Sequence, residues 1–99
     1  MGNSLKSAAF LIESRLADAA LGDCDALYDL GVAYSTGTHG LAVDLIEAHK
    51  WFNLAALNGS ERGQECRAEI AEEMTAREIA EAQRQARAWL SDTMVRRAA

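Results

Sequence analysis

Two runs of apolar residues at three- and four-residue spacing, separated by a short glycine-bearing stretch, constrain this chain more than any other feature. They lie between Ala26 and Gly59. Leu27, Leu30, Gly31 and Tyr34 share one side of the first run; Leu45, Ala48, Phe52 and Ala55 share one side of the second, with Trp51 beside them. Each helix so written has an apolar face that needs another helix to cover it. Gly31 and Ala48 lack bulk where the pair meets, so the backbones approach closely while Tyr34, Trp51 and Phe52 fill the space around them. Tyr28 also falls inside this unit, which makes the pair the expected core.

The 99 residues contain no proline, and 49% are hydrophobic. That balance predicts one all-α domain over 1–99. A leading helix is expected from about Ser4 to Ala20, capped by Asn3 or Ser4, with Leu5, Ala8, Ala9, Ile12, Leu16 and Ala19 inward. Phe10 and Leu11 broaden its apolar surface, Lys6, Glu13 and Asp18 mark its other face, and Gly22 supplies an exit. This helix caps the central pair or contacts a second chain. Asp23 is placed to cap the next helix, and Ser35, Thr36 and Gly37 signal its end. Leu41 and Val43 are expected to pin the following loop, and Asp44 with Glu47 has capping-box spacing.

Asn58-Gly59 reads as a left-handed exit and Ser60 as the cap of a helix over 61–74, with Gly63, Cys66, Ile70 and Met74 on its packed side. Thr75 and Glu78 form a second capping box. It opens a final helix whose packing face is Ile79, Ala82, Ala86, Trp89, Leu90 and Thr93. The expected order is a leading helix followed by two antiparallel helix pairs. Gly22 and Gly59 are 37 residues apart and Trp51 and Trp89 are 38 apart, the placement that a repeated helix-loop-helix unit produces.

Charge narrows the partners. The formal net charge is −5, with seven acids and three bases in 1–59 against eight and seven in 60–99. A nucleic-acid surface calls for a basic stripe with aromatic platforms, and Arg96 with Arg97 is only a small basic cluster. A protein with a basic or mixed surface fits better. No apolar stretch approaches the length of a membrane helix, and the N-terminus lacks the pattern of a secretory signal, so a cytoplasmic chain without a membrane partner is expected. Lys6 stands where a myristoylation signal requires Ser or Thr. Cys24 and Cys66 read as half-buried thiols, with a structural disulfide or redox or metal chemistry as the alternatives.

No phosphate loop, serine elbow or zinc-hydrolase motif occurs. His39 reads as a loop residue, His49 as a packed helix residue, and Asp44 as a cap; Asp44 and His49, five apart, lack metal-motif spacing. Neither an enzyme nor a cofactor or metal site is expected.

The residues Ala26, Leu30-Gly31, Tyr34, Gly37, Asp44, Ala48, Trp51, Ala55-Ala56 and Gly59 together resemble a Sel1-like repeat, a relative of the tetratricopeptide repeats. The run AHKWFNLAA from Ala48 to Ala56 is similar to the second helix of bacterial members, and Arg67 to Leu90 resembles the terminal segment that often follows such a repeat. Arg67 and Ala68 replace the regular Leu-Gly pair of a second unit, and its long connector is reduced to a turn around Met74-Thr75. The resemblance implies a complete repeat over 22–59, an atypical terminal pair over 60–95, and a short right-handed alpha solenoid of about five helices. It also implies an adaptor that binds a protein or peptide. Positions peripheral to the packing pattern give the candidate binding face: Asp25, Asp29, Val32, Ser35 and His39, with Tyr28 as an aromatic anchor or a core residue. The alternative is a homo-oligomerisation module, a homodimer built through the leading or final helix.

Overall fold

A computed structural model describes residues 4–98, with side chains described from Ala8 to Val95. Five helices follow in order: α1 (Ser4–Ala20), α2 (Cys24–Thr36), α3 (Leu45–Leu57), α4 (Glu61–Ala71) and α5 (Ala76–Ala98). The described residues are all-α, and the helices pack in sequence, α1 on α2, α2 on α3 and α3 on α4. Helix α5 also packs on α3, while α4 and α5 make almost no close backbone contact with each other. Helix α3 is therefore the hub.

The α2–α3 contact explains why Gly31 is glycine. A β-carbon there would lie 2.5 Å from two atoms of the Phe52 ring, well inside contact distance. Phe52 is itself almost fully buried, so the ring has nowhere to retreat. Gly63 does the same for α4, where a β-carbon would sit 3.0 Å from that of Ala55 and 3.1 Å from the Phe52 carbonyl oxygen. Leu27, Leu30, Ala48, Leu54 and Ala55 are buried around these contacts. Trp51 and Trp89 meet edge to face at a centroid separation of 4.8 Å, which joins α5 to α3. The Trp51 Nε1–H donates to Glu47 at 3.2 Å, so the indole's polar atom is satisfied.

Helix ends largely follow their capping chemistry. The carboxylates of Asp23 and Asp44 accept from the backbone N–H groups of Ala26 and Glu47, each at 3.1 Å, and Ser60 accepts from Gly63 at 2.9 Å. Gly37 ends α2 in the left-handed region at φ 72°. Any cap supplied by Asn3 lies outside the described residues. Thr75 and Glu78 form both halves of a capping box: Thr75 N–H donates to the Glu78 carboxylate at 2.8 Å, and Glu78 N–H donates to the Thr75 hydroxyl at 3.1 Å. Thr75→Ala is expected to lower stability by about 1 kcal/mol, read as a shift in the urea midpoint; an unchanged midpoint would show that the box adds nothing.

Four local expectations are corrected. Asp44 and Glu47 make only half a capping box, because Asp44 N–H donates instead to the Tyr34 carbonyl at 2.9 Å. The Glu47 carboxylate is engaged by Lys50 and Trp51. This backbone bond and half-buried Leu41 hold the α2–α3 loop, whereas Val43 is 59% exposed. Helix α4 stops at Ala71 rather than Met74, since residues 72–74 bond three residues back and tighten into a turn. Ala9 is exposed, which narrows the packed stripe of α1 to Ala8, Ile12, Leu16 and Ala19 among its described side chains.

His49 is only 3% exposed, and its Nδ1 has no hydrogen-bond partner. Burial lowers its pKa, and the Arg67 cation adds to that effect. The folded state thus favours the neutral imidazole more than the unfolded chain does, and the unfolded chain takes up a proton first as pH falls below the ordinary histidine value of about 6.5. His49's contribution is complete above that value and is lost as pH falls through it. Urea midpoints at pH 7.5 and 5.5 should fall more for the native chain than for His49→Leu; equal drops would contradict this origin.

Candidate interaction groove

Among the described residues, a concave region of the surface lies between α1, α2 and the loop that follows α2. It consists of two adjoining hollows of about 290 and 340 Å³, joined where Ile12 and His39 line both. Leu11, Leu30, Val32 and Ala33 give the first hollow its apolar floor, and Ala9 and Leu41 contribute to the second. The polar rim carries Glu13, Arg15, Asp29 and Thr38. Along α1 the groove runs from Ala9 to Arg15, about 9 Å at the helical rise, which matches roughly three residues of an extended peptide.

Local sequence builds each wall. Asp29 and Val32 project from one side of α2 because they are three residues apart. Arg15 crosses from α1 to hold Asp29 at 3.0 Å and also lies 3.9 Å from Asp18, so it fastens the two walls at one end. His39 adopts a left-handed backbone at φ 58°, a conformation histidine tolerates better than branched residues, and so places its exposed side chain between the hollows. Such a groove can bind apolar side chains by desolvation and select the charges beside them.

Of the six candidate binding residues, the groove unites Asp29, Val32 and His39. Asp25 is exposed one turn earlier on α2 and does not line it. Ser35 is half-buried, and its hydroxyl donates to the Val32 carbonyl at 3.0 Å. Tyr28 faces the other neighbours of α2: its ring lies 5.6 Å from that of Phe52, its hydroxyl accepts from Arg62 at 3.2 Å, and Cys66 Sγ is 3.9 Å away. Tyr28 is half-buried there and does not line the groove.

Leu11, Ile12, Glu13 and Arg15 complete the groove from α1, whereas residue periodicity places Ile12 only in the packed stripe. The available signal was the width of the α1 apolar surface: Phe10 and Leu11 extend past the stripe, and Phe10 is 70% exposed. Cys24 and Cys66 are free thiols, so the disulfide alternative is set aside. Among the described residues no group of three histidine, cysteine or acidic side chains is placed to hold a metal ion, and no helix is long and apolar enough to cross a membrane.

No protein-family model, curated protein or solved structure matches the chain.

Proposed function

We propose that this chain is a noncatalytic interaction module of the Sel1-like type, a short right-handed alpha solenoid that binds a protein or peptide segment in the groove between α1, α2 and the loop. The observation that carries the reading is the groove itself: an apolar floor beneath a charged rim. The sequential packing of the helices supports the solenoid, as do the positions taken by the repeat-like residues. Leu30, Ala48, Trp51 and Ala55 are buried and Gly31 lies against Phe52. The acidic front half of the chain supports a protein partner over a nucleic acid or a membrane surface.

A photo-crosslinking residue in place of Leu11 tests the reading in cells that make the protein, with Leu57, exposed and outside the groove, as the control position. Discrete adducts from position 11, lost when Val32→Gln is added to a folded variant, are expected. Equal adduct patterns from both positions would overturn it.

A second reading, homo-oligomerisation, is favoured by α5, where Met94 and Val95 are 65% and 68% exposed on its last turns. Sedimentation velocity distinguishes the two: that reading requires a dimer whose population rises with concentration and falls on Met94→Lys.

A further inference from the structure

The groove's rim is unequal in charge. Among the described residues lining it, the acids are Glu13 and Asp29, and the single permanent cation is Arg15. Arg15 is already matched by Asp29 at 3.0 Å and by Asp18 at 3.9 Å, so the balance at this end is negative. Both members of the Arg15–Asp29 pair are substantially exposed, with 40% and 49% of their side-chain surfaces in contact with water. A pair so placed exchanges partners at little cost, because solvent screens it and each side chain regains freedom when released. Asp29 also sits beside Leu30 and Val32, next to the apolar floor of the first hollow.

We propose that the groove takes a peptide segment bearing a lysine or arginine next to an apolar anchor, and that this cation replaces Arg15 at Asp29. The inference rests on the groove being the docking surface. The anchor fills the first hollow over Leu30, Val32 and Ala33, and the adjacent cation meets the acidic rim. Arg15 then acts as an internal competitor that holds Asp29 in the empty groove. Segments with an acidic residue at that place meet Asp29 and Glu13 with like charge and are rejected.

The test is selection of random ten-residue peptides displayed on phage against the full chain, followed by titration of the enriched peptides against four folded proteins: the native chain, Arg15→Met, Asp29→Asn and Val32→Gln. Arg15→Met keeps an apolar stem on α1, and thermal melts confirm that each variant is folded. Enriched peptides should carry Lys or Arg within two residues of a large apolar side chain. They should bind Arg15→Met about two- to fivefold more tightly and Asp29→Asn about three- to tenfold more weakly, with affinity falling as salt rises. Peptides that lose binding on Val32→Gln but are acidic or uncharged, or that ignore both charge variants, would overturn the inference and leave the groove standing as the docking surface. Peptides indifferent to Val32→Gln, or no enrichment at all, would overturn the docking reading and this inference with it.

Discussion

Replacing Trp51 with alanine is expected to remove about 3–5 kcal/mol of stability, a large part of what a domain of this size possesses. Trp51 is 2% exposed and belongs to the cluster that joins Leu27, Leu30, Leu54 and Ala86, so its loss opens a cavity at the hub rather than at an edge. It also removes the edge contact with Trp89, which helps to hold α5 on α3. Two readouts separate these consequences. The urea midpoint reports the whole loss, and amide exchange should rise most in α5, which has no comparable packing on α4. Trp89→Ala should cost less, because Trp89 is only half-buried, while exposing α5 in the same way. Uniform exchange throughout the chain after Trp51→Ala, with α5 no more affected than α2, would contradict the hub arrangement.

Gly31→Leu is expected to be comparably damaging, although leucine is far the better helix former. Even its β-carbon would stand 2.5 Å from the Phe52 ring, so the larger side chain must drive Phe52 out of its site or push α2 from α3. Losing the burial of Phe52 alone amounts to about 3–5 kcal/mol. The smaller change Gly31→Ala isolates the contact: overpacking of about 1–3 kcal/mol opposes a propensity gain of about 1 kcal/mol. In combination with Phe52→Leu, Gly31→Ala should cost less than it does alone, since the smaller side chain gives way. Strict additivity of the two substitutions would show that the ring and the helix backbone are not in contact.

Such close contacts were the part of the fold most open to reading from residue order. Helical periodicity with Gly31 opposite an aromatic run already calls for two helices at short range, and Asp23, Ser60 and the Thr75–Glu78 box fix helix starts through chemistry confined to four residues. Side-chain destinations over longer distances were less accessible. Glu47 has the spacing of a capping box, but its carboxylate meets Trp51 and Lys50, and the backbone group it was to cap is taken by Tyr34 of another helix. Similarly, the spacing of Gly22 and Gly59 suggests paired helices without revealing that α5 leaves α4 to pack on α3.

The candidate groove was half-visible for the same reason. Asp29 and Val32 follow from the α2 pattern, because positions left free by one packed stripe form a common face. Arg15 does not, since its partner lies fourteen residues away on another helix and only the α1–α2 crossing brings them to 3.0 Å. Tyr28 shows the converse. Its place on α2 is read from periodicity, whereas the neighbours that α4 brings beside it, Arg62 and Cys66, are not.

The most direct test of the account is to titrate a partner segment recovered by crosslinking from position 11 into isotopically labelled protein and follow the methyl resonances. The groove reading predicts that Ile12, Val32 and Leu41 shift together and saturably, while Met94 and Val95 remain in place. Shifts confined to Met94, Val95 and Leu90, with Ile12 and Val32 unmoved, would contradict it and assign binding to the end of α5.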